Sequence, residues 1–164
     1  MINFKGKSPK ILVIGDLMID RYIWGSCERI SPEAPVQVVK VENESSSLGG
    51  AGNVINNLQS LGANVDVISV IGNCDISLEL KDLLINIGIE TTYLIIQDDR
   101  KASKKSRIIA SHQQVVRYDQ ESTEEINDVS QDSILKTFNK LIKSYDIVLF
   151  SDYGKGLFTK KLTQ

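Results

Sequence analysis

At 164 residues, with 41% apolar and 24% charged residues, the chain is long enough to bury a core and has the make-up of a soluble globular domain. A net charge of -2 and a pI near 5.5 give no general attraction to nucleic acid or anionic membranes, and 6% aromatics make a base-stacking platform improbable. No apolar run approaches the roughly 20 residues of a membrane span, and Asn3, Lys5, Lys7 and Lys10 interrupt any signal-peptide core, so the expectation is a cytoplasmic protein with no nucleic-acid or membrane partner.

Residues 1–9 read as a frayed lead-in. Lys10-Ile11-Leu12-Val13-Ile14-Gly15 is a continuous apolar run ended by glycine, the pattern of a buried parallel strand, with Asp16 where its carboxyl end opens. Residues 21–25 and 35–42 are β-rich and predict a small projecting sheet. The loop between them is fixed by Pro32 and Pro35, and residues 42–47 read as a polar turn. Gly49, Gly50 and Gly52 then open a segment whose Ala51, Val54, Ile55, Leu58 and Leu61 have helical spacing, with Gly62 as its stop. Asn53, in the first turn, is a mediocre helix former whose amide is available for recognition.

Residues 65–72 predict a second glycine-ended strand, residues 76–87 a helix with Leu80, Leu83, Leu84 and Ile87 on one side, and residues 89–96 a third strand. Strand–helix alternation with short glycine turns implies right-handed crossovers and a mostly parallel sheet. Residues 97–106 are polar and basic, residues 106–109 and 115–118 read as short strands around Ser111-His112-Gln113-Gln114, and residues 121–132 look acidic and linker-like. A helix over residues 134–142 leads to a buried strand at 146–152, a flexible turn at Tyr153-Gly154-Lys155-Gly156, and the start of a helix at the end.

Asp16, Gly72 and Asp152 follow apolar runs and should share one rim of the sheet, where open α/β sheets bind ligands. Asp16, with Asp20 close behind, can accept hydrogen bonds from adjacent sugar hydroxyls; acids in such places also simply end strands and cap turns. The glycine stretch offers free amides at a helix start, or only tight packing of helix on sheet. It lacks both the GxGxxG and the Walker lysine patterns. The basic run from Arg100 to Arg107 could hold a phosphate or be a solvated loop. Lys155, between glycines at a strand end, is better placed for a phosphate, whereas the lone His112 lies in a turn with no serine–acid partners. Cys27 and Cys74 have no metal-ligand spacing and read as free thiols of a reducing compartment.

Taken together, Gly15-Asp16-Leu17-Met18-Ile19-Asp20-Arg21-Tyr22, Arg29-Ile30-Ser31-Pro32-Glu33-Ala34-Pro35-Val36, Gly49-Gly50-Ala51-Gly52-Asn53-Val54, Ser60-Leu61-Gly62-Ala63, Gln113-Gln114 with Arg117 and Asp119, and Ser151-Asp152-Tyr153-Gly154-Lys155-Gly156 resemble the ribokinase-like (PfkB-type) carbohydrate kinases. The second of these segments resembles the heptose-7-phosphate kinase branch in particular. The resemblance implies a Rossmann-like, mostly parallel α/β sheet with flanking helices and a β lid, residues 1–164 being the N-terminal part of one kinase domain with lid strands at about 21–45 and 106–119. It implies a lid that pairs across a homodimer, a sugar-phosphate substrate, and ATP with Mg2+ bound mostly by segments other than these. The family's hydroxyl-gripping positions correspond here to Asp16, Asp20, Gly49, Gly50 and Asn53, and its basic residues near the substrate to Lys105, Arg107 and Lys155.

Gly52 and Gly154 stand where relatives often have alanine, and His112 where asparagine is common. The resemblance also implies a catalytic base and an anion-hole motif, Gly-Ala-Gly-Asp, which this sequence does not contain, so no residue here is assigned to catalysis. Two expectations follow. The chain is the gripping part of a kinase with little activity of its own, for a coupled ADP-release assay to check, or it is an inactive remnant that binds sugar phosphate or only dimerises.

Overall fold

The computed structural model describes residues 8–164; the lead-in expected over residues 1–9 lies mostly outside the described residues. β1 (Lys10–Gly15) is the middle of a parallel sheet in which it pairs with β4 (Asn64–Ile71) on one side and β8 (Ile147–Ser151) on the other, with β5 (Leu94–Ile96) beyond β4. Its apolar run is continuous because both faces are covered. Ile11 and Val13 face a core built with α1 (Ala51–Ser60) and α2 (Asp75–Asn86) through Ile55, Leu80 and Leu84. Leu12 and Ile14 face a second core with α3 (Asp128–Leu141) through Ile134 and Leu141. Alternation along one strand thus specifies a three-layer, doubly wound unit.

A second sheet has the order β3-β2-β6-β7. β2 (Leu17–Ile30) and β3 (Gln37–Gly50) form a long antiparallel hairpin closed by the proline-bearing turn, where the Ser31 amide donates to the Val36 carbonyl at 2.8 Å. β6 (Ser103–Ala110) runs parallel to β2 and antiparallel to β7 (Gln113–Gln120). Ser111 and His112, at φ 50° and 67°, make a two-residue hairpin turn of positive φ, whose twist matches the right-handed twist of the strands.

Several sequence expectations shift. Residues 42–47 are strand, not a turn: their polar side chains sit in the middle of β3, whose pairing with β2 satisfies the backbone that composition left open. Of residues 89–96 only Leu94–Ile96 pairs, while Ile89 is buried as a core plug beneath α2. The linker expected over residues 121–132 gives way at Asp128 to α3, capped by the Asn127 side chain on the Ser130 amide at 2.9 Å. The expected terminal helix amounts to one turn, with the Leu162 and Thr163 amides on the Thr159 carbonyl.

The apolar run at residues 146–152, whose pattern reads as a buried strand, forms β8 but is largely open, with an exposed apolar edge. Among the described residues β8 pairs only with β1, and Ile147 and Phe150 are 49% and 62% exposed. An unpaired edge with apolar side chains is a pairing surface. The isolated chain is therefore expected to self-associate, seen as a mass that grows with concentration in sedimentation velocity. A monomer that persists at high concentration would count against this.

Candidate substrate site at the sheet rim

Because β1, β4 and β8 run parallel, Asp16, Gly72 and Asp152 do share the rim at the strands' carboxyl ends. Only Asp16 separates β1 from β2, so the chain leaves one sheet for the other at this residue. The Asp16 amide donates to the Ser151 carbonyl at 3.1 Å and its carbonyl accepts from the Ala51 amide at 3.0 Å. Its carboxylate Oδ2 accepts from the Tyr153 and Lys155 amides at 2.9 and 3.2 Å. The side chain is buried, and this burial raises its pKa above the ordinary 3.8 against the lowering effect of the two amides. Asp152 Oδ1 accepts from the Gly154 amide at 2.8 Å and so caps the turn. Both acids thus do the turn-closing work that acids at strand ends commonly do.

The 153–156 turn has a second brace. The buried Arg100 guanidinium donates to the Glu124 carbonyl at 3.1 Å and to the Lys155 carbonyl. Burial pulls the Arg100 pKa down from its ordinary value, with Asp16 as the foremost opposing charge. Arg100 is therefore an internal strut and not part of a solvated loop.

Asp20 is placed differently. Residues directly opposite in a sheet share a face, so one row reads Ser47, Asp20, Lys105, Asp119 and the next Ser45, Tyr22, Arg107, Arg117. Asp20 Oδ1 accepts from Arg107 at 2.5 Å, and the Arg107 guanidinium lies 5.3 Å from the Tyr22 ring centroid. The Asp20 bond, outweighing a smaller burial effect, raises the Arg107 pKa. A methyl group at Gly49 would collide with Asp20 Oδ2, so glycine there lets the carboxylate lie against the β3 backbone. Lys105 bonds Asp119 at 3.2 Å; burial pushes the Asp119 pKa up, but the Lys105 bond and charge outweigh it and hold the carboxyl below its usual value.

The glycine stretch completes the rim. Gly50 has φ 54°, and a methyl there would fall 2.6 Å from the Asp16 carbonyl oxygen. No side chain caps α1, which leaves first-turn amides open, and Asn53 is exposed in that turn. Gly52 packs against Leu48 instead.

The opposite face of the second sheet is an anchor. Arg21 donates to both Glu79 oxygens on α2, at 2.6 and 2.7 Å. Burial pushes the Glu79 pKa up, but bonds from Ser46 and Arg21 outweigh it and keep the pKa below its ordinary value. Lys104, paired with Ile19, belongs to this face, so the basic run divides by strand parity: Lys105 and Arg107 join Asp20, and Lys104 does not. Lys155 reaches the same region from the main sheet, its Nζ 2.7 Å from Glu121 Oε1. Sequence reasoning passed over Glu121 as linker; its only signal was that it directly follows the strand carrying Arg117 and Asp119. Among the described residues no group of three or more His, Cys, Asp or Glu converges as a metal site, so these residues do not form a cage for a Mg2+ ion. Also among them, no helix is long and apolar enough to cross a membrane.

Comparison with known proteins bears on this geometry. A family model described as "pfkB family carbohydrate kinase" matches residues 8–162. The chain belongs to the pfkB family of carbohydrate kinases. Among curated members, it is 63% identical over 158 residues to the "Bifunctional protein HldE" of Aliarcobacter butzleri, covering 96% of this chain and 33% of that protein. It is 56% identical to the "Bifunctional protein HldE" of Sulfurimonas denitrificans, covering 98% of this chain and 34% of that one. The chain thus spans about a third of the length of the curated relatives it matches. Solved structures share the pfkB fold. A "Carbohydrate kinase from Agrobacterium tumefaciens" superposes with a TM-score of 0.66 at 21% identity, over 87% of this chain and 45% of that one. An Arabidopsis thaliana ribokinase described as complexed with ribose and ATP gives a TM-score of 0.58 at 13% identity, over 88% and 45%.

Proposed function

We propose that this chain grips the sugar in an ATP-dependent kinase that phosphorylates the anomeric hydroxyl of D-glycero-β-D-manno-heptose 7-phosphate, giving the 1,7-bisphosphate for ADP-heptose and lipopolysaccharide core synthesis in the cytoplasm. The observation that carries the reading is the Asp20 carboxylate, held against Gly49 by the hydrogen bond from Arg107 in the same row as Lys105. A fixed carboxylate accepts from neighbouring hydroxyls, and flanking cations suit a phosphate on the same molecule. Asn53 and the open amides of α1 add donors beside it, and Gly50 keeps the backbone approachable. Asp16 serves this site by fixing the turn that carries Lys155.

The naming of curated relatives 63% and 56% identical to the chain as HldE supports the heptose branch. In the reaction, the anomeric oxygen forms a bond to the γ-phosphorus as the bond from that phosphorus to ADP breaks, and the hydroxyl proton passes to a base. ATP with Mg2+ supplies the phosphoryl group, and the described residues contribute binding and orientation. A homodimer through the second sheet fits its outer half, where Ile30, Val36, Val41 and Val116 are 60%, 57%, 50% and 46% exposed. A competition panel of sugar phosphates, read by calorimetry, tests the substrate. The heptose 7-phosphate should bind at least tenfold tighter than ribose 5-phosphate or fructose 6-phosphate. Equal affinities would sink the heptose assignment.

A further inference from the structure

Glu121 lies just past β7 in the connection to α3, a stretch with no regular structure. Its carboxylate sits between two lysines, Lys105 of β6 and Lys155 of the turn after β8. Oε1 accepts from Lys155 Nζ at 2.7 Å, and Oε2 lies 3.7 Å from Lys105 Nζ. Oε2 is buried yet has no hydrogen bond among the described residues, an unfavourable state for a carboxylate oxygen. The three side chains are only 14–18% exposed. Around them Lys105, Arg107, Arg117 and Lys155 meet Asp20, Asp119 and Glu121, four cations against three carboxylates.

We propose that Glu121 is a built-in stand-in for a phosphate monoester: its carboxylate fills an anion site formed by Lys105 and Lys155, and a ligand phosphate takes its place. The carboxylate fits this site poorly. Its two oxygens make one bond to two ammonium groups that carry three donors each. A tetrahedral dianion offers a third oxygen and more charge and can satisfy both lysines at once. Displacing Glu121 needs no unfolding, because the segment that carries it runs along the surface and the freed carboxylate can turn to water. Without it, two half-buried ammonium groups would face each other with only Asp119 bonded to Lys105, an unfavourable state, so the stand-in steadies the empty site. It also sets a threshold, because an uncharged sugar has nothing with which to displace it. This deepens the sugar-phosphate reading and rests on it only for the rest of the ligand.

The probe is inorganic phosphate, titrated into the 164-residue chain by calorimetry at constant ionic strength, with glucose 6-phosphate and ADP in parallel. Glu121→Gln is expected to bind phosphate about tenfold more tightly than the unmutated chain, because a competing charge is gone. Glucose 6-phosphate should gain equally and ADP less. The gain should vanish when Lys105→Met and Lys155→Met are added. If Glu121→Gln melts too low to titrate, Glu121→Ser gives the same comparison. Unchanged or weaker binding in the Glu121 variants would make the residue a brace only and overturn the proposal. So would a gain that survives loss of both lysines, or one confined to ADP. Failure of heptose 7-phosphate to bind while phosphate still gains would strike the substrate reading and leave this inference standing.

Discussion

Replacing Asp16 with alanine is expected to lower the melting temperature by about 5–10 °C. The substitution deprives the Tyr153 and Lys155 amides of their shared acceptor and removes the foremost charge balancing the buried Arg100. Hydrogen bonds to a charged acceptor are worth about 1.5–3 kcal/mol each. Relief of the carboxylate's burial offsets part of that, so a net loss of about 2–3 kcal/mol is expected, at roughly 2–4 °C per kcal/mol for a chain of this size. Asp16→Asn, which keeps an acceptor oxygen, should lose less.

The pH dependence has a definite sign. The fold raises the Asp16 pKa, so the proton-linked part of its contribution is full below the ordinary value of 3.8 and is lost as pH climbs through the raised one, while the bonds to the turn remain. Asp16→Asn lacks that loss, and its stability relative to the unmutated chain should improve with rising pH across this window. Glu79 and Asp119 have lowered pKa values and behave in the opposite way, losing their contribution as pH falls through them. Melting curves at a series of acid pH values check both the size and the sign. An Asp16→Ala chain as stable as the original would remove the brace from the account.

Asp20→Ala is expected to have the largest effect on binding, at least a hundredfold loss of affinity for the sugar phosphate. Two charge-assisted bonds to hydroxyls, each worth about 1.5–3 kcal/mol, disappear, and Arg107 loses the partner that orients it. Stability should barely move, because the Asp20–Arg107 pair is partly exposed and such pairs contribute about 0–1 kcal/mol. Calorimetry and a melting curve on the same sample separate this outcome from that of Asp16→Ala. A large drop in melting temperature with affinity intact would reverse the roles assigned to the two acids.

The contrast between these acids shows what the sequence could and could not say. Both follow the first apolar strand, and residue type alone gave them one role. What separates them is register: Asp16 is the one-residue link between sheets and faces the 153–156 turn, whereas Asp20 is placed opposite Lys105 and Ser47. The apolar runs, the helices opened at Gly50 and before Asp75, and the parallel sheet were legible because burial on one or both faces imposes a period. The middle of β3 was not, because Glu42-Asn43-Glu44-Ser45-Ser46-Ser47 is polar on both faces and becomes strand only through pairing with β2. Arg100 and Glu121 were illegible for a related reason. A buried charge looks like a surface charge until the carbonyls and lysines that satisfy it, 24 to 55 residues away for Arg100, are folded against it.

The central claim is that this chain recognises a phosphorylated sugar at the rim formed by Asp20, Gly49, Asn53, Lys105, Arg107 and Lys155. Titrating the unmutated chain by calorimetry with D-glycero-β-D-manno-heptose 7-phosphate, beside the same heptose without phosphate, addresses it most directly. Saturable one-site binding is predicted, weakened at least tenfold without the phosphate and abolished by Asp20→Ala or Asn53→Ala. No binding by the unmutated, folded chain, or binding indifferent to both substitutions, would contradict it.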